Sequence, residues 1–223
     1  MRTVIGEILP LALVVTISPL NIIPAILLLF TTRPLASATN FLVGFVLGVG
    51  AVLGLFVAVA GAADLSSGSG HTRWGAILKL ALGAYLVVAA VQKFRSRPRA
   101  GESGAMPTWM DGIAGYTPAH AFGAGAVLGA VNPKNVVVAL AAAATIATAD
   151  LQTSQIAIVV IIYVVIAIAG VAAPIVVTLF LGDRSAEVLE GWNAWLRQNN
   201  AAVMSVLFVV FGVVLIGRGI AAV

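Results

Sequence analysis

The sequence predicts an all-α integral membrane protein whose six transmembrane helices form two inverted three-helix repeats, with the first and fourth helices broken. Three observations support this fold class. Of the 223 residues, 61% are hydrophobic and only 9% are charged, whereas soluble domains carry roughly 25% charged residues. Long apolar runs recur along the chain, and proline-containing motifs in the two halves match each other.

The composition also excludes several classes of function. The net charge of +4 is too sparse for a phosphate-tracking face, so we expect no nucleic-acid partner. The absence of cysteine removes disulfides, thiolate metal sites and thiol redox chemistry. Because no nucleophile, acid–base pair or metal constellation falls within the apolar runs, we expect no enzymatic activity, no metal and no cofactor.

Six apolar stretches each reach the ~20 residues needed to cross a ~30 Å hydrocarbon core. In chain order they are Val4–Thr31, Phe41–Ala62, Trp74–Phe94, Ala119–Thr148, Ile156–Leu181 and Ala201–Ala222. The first stretch continues past Ser18 to Phe30, so we interpret it as a retained span and not as a cleaved signal peptide. The predicted divisions are a first repeat (1–94), a cytoplasmic linker (95–117) and a second repeat (118–223).

Basic residues near the ends of the stretches predict the orientation, because cytoplasmic loops carry an excess of lysine and arginine. Four basic residues lie on the side of the two termini and seven on the other side. The seven are Arg33, Lys93, Arg95, Arg97, Arg99, Arg184 and Arg197. This second side is therefore predicted to be cytoplasmic, with both termini outside.

A segment at about 183–198 precedes the sixth stretch. Its charges are separated from Val188, Trp192, Trp195 and Leu196, which fall on one helical face. Tryptophan rings at the headgroup level are typical of an interfacial amphipathic helix. We expect such a helix to anchor the sixth span, and a role in substrate gating is the alternative.

The most informative pattern is a repeat between the first and fourth stretches. A shift of 114 residues aligns Ser18-Pro19-Leu20-Asn21 with Asn132-Pro133-Lys134-Asn135. Because three spans per half is an odd number, the second copy must be inverted, as in small secondary transporters. Each proline deletes a helix hydrogen bond and clashes with the preceding turn. The two motifs therefore predict helix breaks near mid-membrane.

These two motifs form the candidate site. Freed backbone groups at membrane depth are tolerated only against protein or a water-filled cavity. Lys134 is the one charge predicted at mid-bilayer, where it costs ~2.5–3.5 kcal/mol on insertion scales. Together with two half-helix N-termini, it favours a bound carboxylate, sulfate or phosphate. Purely structural proline kinks are the alternative. The predicted substrate-binding residues are Ser18, Asn21, Asn132, Lys134 and Asn135, and the predicted hinges are Pro19, Pro24 and Pro133.

Four further residues have two interpretations each. Glu7 and His120, near opposite membrane faces, form either a proton-coupling pair or a pair of ionisable groups solvated at the interface. Tyr163 and Pro174 in the fifth stretch either line the cavity or kink and pack that helix.

Small residues recur at the spacing of helix contacts. Gly44-x-x-x-Gly48 and Gly50-x-x-x-Gly54 both predict close helix packing. The third and sixth stretches also correspond weakly, since Leu82–Leu86 resembles Phe211–Leu215 in its glycine and leucine positions.

The two halves, with Ser18-Pro19-Leu20-Asn21 in one and Asn132-Pro133-Lys134-Asn135 in the other, resemble the LysE superfamily of small membrane exporters. Asn-Pro-Lys early in the second half is the most recognisable feature of that group. Amino-acid exporters of the superfamily carry Pro-Gly-Pro where this chain has Ser-Pro. In this respect the chain is closer to the actinobacterial GAP and Sap-like lipid-addressing branch, which is linked to moving glycopeptidolipids and sulfolipids to the cell envelope.

The resemblance covers the whole chain and implies export across the bacterial inner (plasma) membrane. The expected function is movement of an anionic (glyco)lipid or similar amphiphile towards the cell envelope by alternating access. One alternative is an amino-acid or ion exporter, and another is a scaffold that delivers lipid to a larger envelope-biosynthesis complex. The expected partners are membrane lipids and an anionic lipid or small-molecule substrate, while a homo-oligomer and envelope-biosynthesis proteins stay open.

Overall fold

The computed structural model describes residues 1–62, 69–95 and 108–221, and all of their regular structure is helical, as predicted. Short 3-10 helices occupy Thr108–Gly115 and Gly182–Arg184. The α-helices of the described residues are α1 (Arg2–Thr16), α2 (Pro19–Leu28), α3 (Pro34–Ala62), α4 (Ser69–Arg95), α5 (Pro118–Val131), α6 (Pro133–Ala147), α7 (Thr153–Leu181) and α8 (Ser185–Ile220).

By length and hydropathy, two helical stretches of the described residues could cross a membrane. They are Pro34–Gly61 and Thr153–Gly217, and the second contains α7 and most of α8. The number rises to four if the bent pair α1–α2 and the bent pair α5–α6 each count as one span. The predicted number of six stays a prediction.

Helices α3 and α5 pack closely and join the two halves of the chain. A Cβ atom on Gly44 would contact the Phe122 carbonyl oxygen, and one on Gly48 would contact the Ala126 carbonyl oxygen. The partners advance together along the chain, so α3 and α5 run parallel. Gly44 and Gly48 thus have the predicted close packing. Gly54 does not, because a Cβ atom there would meet nothing within 4 Å.

Helices α4 and α8 form a second close pair between the halves, but these two helices run in opposite directions. A Cβ atom on Gly83 would lie 2.7 Å from the Gly212 carbonyl oxygen, and one on Gly212 would lie 2.9 Å from the Gly83 carbonyl oxygen. The Ser205 hydroxyl donates to the Ala90 carbonyl oxygen at 3.0 Å. Since the later residue of α4 pairs with the earlier residue of α8, the two helices run antiparallel.

The segment predicted as an interfacial amphipathic helix at 183–198 lies largely within one long helix, and its interfacial position stays a prediction. Helix α8 continues without a break from Ser185 to Ile220, because no proline interrupts it. Leu189 on this segment is buried, whereas Trp192 and Trp195 are 39% and 56% exposed. The amphipathic segment is therefore the first part of the helix predicted as the sixth span.

The predicted linker 95–117 lies partly outside the described residues, which omit 96–107. Its described end forms the 3-10 helix Thr108–Gly115, on which Met110 and Ile113 are buried. This short helix packs against α2. The end of the linker is thus part of the folded core.

Candidate functional site

The first helix break separates α1 from α2 at Ser18-Pro19. Proline disfavours helical geometry for the residue before it, and Ser18 accordingly has an extended conformation with φ −99° and ψ 109°. Pro19 then begins α2, a position where its missing N–H costs nothing. The axes of α1 and α2 differ by 51°.

The second break repeats this arrangement between α5 and α6. Asn132 precedes Pro133 with φ −59° and ψ 117°, and Pro133 begins α6. The two helix axes differ by 55°. The Asn132 side-chain oxygen accepts from the Lys134 backbone N–H at 3.2 Å, which caps α6. Both breaks thus fall at the prolines that the sequence repeat aligns.

Each break is closed by the asparagine two residues after its proline. The Asn135 amide donates to the Leu128 carbonyl oxygen at 3.0 Å, and the Asn21 amide makes a longer 3.4 Å bond to the Val15 carbonyl oxygen. The last carbonyls of a helix have no partner within the helix. In each half, therefore, the asparagine satisfies a carbonyl in the last turn of the helix before the break.

Lys134 joins the second break to the first. Its side chain is only 5% exposed, and its Nζ atom donates to the Val14 carbonyl oxygen at 2.7 Å. The C-terminal end of a helix carries a partial negative charge, and Val14 lies in the last turn of α1. The ammonium group therefore compensates the partial negative charge at the end of α1. The sequence did not predict this contact.

A second contact crosses between the two motifs. The Asn132 amide donates to the Asn21 side-chain oxygen at 3.4 Å, and both residues are buried. The structure thus brings all the predicted substrate-binding residues to the junction of the two breaks, where they are withdrawn from solvent. That they bind substrate stays a prediction.

Three buried polar atoms near the breaks or in α7 have no hydrogen-bond partner among the described residues. They are the Ser18 hydroxyl oxygen, the Asn135 side-chain oxygen and the Tyr163 hydroxyl oxygen. A buried polar group without a partner costs about 1–3 kcal/mol. Ser18 and Asn135 therefore retain hydrogen-bonding capacity at the junction.

The other predicted residues lie away from this junction or within intact helices. Pro24 is buried inside α2, which continues through it, so the structure has no break there. Its missing N–H affects one carbonyl in a helix of 10 residues, which is nearly three turns long. Pro174 and Tyr163 are buried in the continuous helix α7. Glu7 lies in the first half of α1 and His120 in the first turn of α5, both away from the breaks.

Sequence reasoning missed the role of Thr16 and Gly170. The Thr16 hydroxyl donates to the Ile166 carbonyl oxygen of α7. A Cβ atom on Gly170 would contact the Thr16 carbonyl oxygen, so only glycine lets α7 approach the end of α1 this closely. The one feature of the sequence that could have indicated this close approach is a glycine, Gly170, in the middle of an apolar helix.

No curated protein and no solved structure matches the chain. A family model does match: residues 8–221 fit the family described as Sap, sulfolipid-1-addressing protein (SfLAP). This match spans nearly the whole chain, including both helix breaks and Lys134. The chain therefore belongs to the Sap sulfolipid-1-addressing protein family.

Proposed function

We propose that this protein is an inner-membrane exporter that moves an anionic (glyco)lipid or similar amphiphile towards the cell envelope by alternating access. The observation that carries the proposal is the buried Lys134 ammonium group at the junction of two helix breaks. Ionisable residues at membrane depth are expensive and mark substrate or ion pathways. The family description adds the substrate class, since a sulfolipid carries an anionic headgroup.

Helix directions support six spans in an inverted repeat. In a chain that crosses the membrane six times, the second and fourth spans run the same way and the third and sixth run opposite ways. Helices α3 and α5 are parallel and α4 and α8 are antiparallel, as their glycine contacts require. The unbroken helices α3 and α7 also pack on the broken pair of the other half: α3 on α5–α6, and α7 on α1–α2.

The contacts at the junction suggest how the site opens. The Lys134–Val14 and Asn132–Asn21 hydrogen bonds are links between the halves at the breaks. An anionic headgroup would compete for the Lys134 ammonium, because charge-assisted bonds to an ionised oxygen are stronger than bonds to a neutral carbonyl. Binding would thereby release α1 from α6. The helices would then rotate relative to each other, with the change in backbone angles located at the extended residues before Pro19 and Pro133.

The test is lipid translocation in reconstituted vesicles. A fluorescent sulfated glycolipid and a fluorescent phosphatidylcholine are placed in one leaflet, and a membrane-impermeant quencher reports their movement. We expect faster movement of the sulfated lipid, loss of this movement in Lys134→Ala, and no loss in Arg184→Gln, which removes an exposed basic residue. Full activity of Lys134→Ala would overturn the central anion site.

Two other outcomes separate the alternatives. Efflux of a labelled amino acid or ion, with no lipid movement, would favour a small-solute exporter. Absence of all transport from a folded protein would instead favour a scaffold that delivers lipid to other envelope-biosynthesis proteins.

A further inference from the structure

A groove runs along an exposed face of α5. Tyr116 and His120 lie at one end, Gly123 in the middle, and Val127 and Leu128 at the other end. This α5 groove has a volume of about 580 Å³. From the start of α5 to Leu128 the helix rises ~15 Å at 1.5 Å per residue, which is half of a ~30 Å hydrocarbon core. The α5 groove therefore has the length of one leaflet.

A second, polar cavity adjoins the α5 groove and shares Tyr116 with it. This Arg33 pocket has a volume of about 410 Å³ and is lined by Thr32, Arg33 and Thr117, among others. Thr117 is also within hydrogen-bond distance of His120, with 3.2 Å between its hydroxyl oxygen and the ring Nδ1. Polar groups are thus gathered at one end of an otherwise apolar groove.

The inner end of the α5 groove leads to the helix break. Leu128 lines the groove, and its backbone carbonyl is the group that accepts the Asn135 amide at the second break. A chain lying in the groove would therefore extend from the Arg33 pocket to the level of the Lys134 junction.

We propose that the Arg33 pocket and the α5 groove together bind one anionic lipid of the adjacent leaflet. The headgroup lies at Arg33, whose guanidinium group matches the geometry of a phosphate or sulfate. The acyl chain follows Gly123 along α5 towards Leu128. As an entry site for the exporter this inference rests on the proposed function, but the binding itself does not require transport.

The test uses photocrosslinking in lipid nanodiscs. Phosphatidylglycerol or phosphatidylcholine with a diazirine in the acyl chain serves as the probe. Trypsin cleavage after Arg99 and Lys134 isolates α5 on one peptide, residues 100–134. We expect stronger labelling of this peptide by phosphatidylglycerol, by about fivefold, the factor of one basic residue near an anionic headgroup.

Two pairs of variants make the test specific. Gly123→Phe fills the groove, and a Cβ atom at Gly123 would meet nothing within 4 Å, so the helix packing stays intact. Gly54→Phe is the matched control, since Gly54 is equally unobstructed but lies on α3. Arg33→Gln should abolish the preference for phosphatidylglycerol, and Arg33→Lys should retain part of it.

The outcomes decide between the two proposals. Equal labelling by both lipids, or labelling that survives Gly123→Phe, would overturn the lipid site. Headgroup-dependent labelling that Gly123→Phe removes and Gly54→Phe preserves would support it. If this labelling persists while the reconstituted protein moves no lipid, the lipid site stands and the exporter proposal fails. If the reconstituted protein moves lipid but lacks this labelling pattern, the exporter proposal stands and the lipid site fails.

Discussion

The Nζ atom of Lys134 lies 2.7 Å from the carbonyl oxygen of Val14, which is 120 residues earlier in the chain. This bond places the ammonium group on the C-terminal end of α1. The interaction is favourable because the end of a helix carries partial negative charge. It also fixes α6 against α1 at the level where both broken pairs bend.

Reversing the charge at Lys134 should be more damaging than neutralising it. Lys134→Glu places a carboxylate against the Val14 carbonyl and the end of α1, and we expect the free energy of unfolding to fall by about 3–5 kcal/mol. Lys134→Met keeps the length of the side chain without a buried charge but leaves the Val14 carbonyl without its donor, so we expect a smaller loss of about 1–3 kcal/mol. Thermal unfolding in detergent measures both, and equal destabilisation would contradict the Lys134–Val14 bond.

The asparagines after the prolines should contribute to stability through their amides. Asn135→Leu leaves the Leu128 carbonyl without its donor, and we expect a loss of about 1–3 kcal/mol. Asn40→Leu is the control, because the Asn40 amide donates to the Ala36 carbonyl oxygen at 2.9 Å but is exposed. Solvent can replace that donor. Unfolding titrations should show the difference, and similar losses for both variants would refute it.

The prolines at the breaks should differ in effect from the proline inside α2. Pro19→Ala and Pro133→Ala restore an N–H and relax the preceding residue, so we expect straighter helices and slower lipid movement in the vesicle assay. Pro24→Ala should leave the rate unchanged, because α2 already continues through Pro24. Hydrogen exchange of the residues before each proline is the structural readout. A rate unaffected by Pro19→Ala or Pro133→Ala would exclude them as hinges.

The two glycine motifs of α3 should respond oppositely to alanine. A Cβ atom on Gly48 would contact the Ala126 carbonyl oxygen, so Gly48→Ala should separate α3 from α5 and lower the melting temperature. Gly54→Ala meets nothing within 4 Å and should stabilise the helix by about 0.5–1 kcal/mol. Melting curves of the purified variants in detergent measure both effects. An unchanged melting temperature of Gly48→Ala would contradict the close packing of α3 on α5.

The sequence was informative where a residue type has one strong physical consequence. Pro19 and Pro133 each delete a helix hydrogen bond at matching positions of the repeat, and a lysine such as Lys134 in an apolar run has to find a partner. The identity of that partner was not predictable, because Val14 contributes a backbone carbonyl that every residue has. The same limit applies to Gly48 and Gly54, which share a motif but differ in which helix lies opposite them.

The extensive packing of α3 on α5 and of α4 on α8 has a consequence for biosynthesis. Gly44 and Phe122, whose carbonyl oxygen faces it, are 78 residues apart. Translation at ~5–20 residues per second therefore separates their synthesis by about 4–16 s. During that interval the glycine face of α3 has no partner within the nascent chain. The first half of the protein must wait in the membrane, partly unassembled, until the second half is inserted beside it.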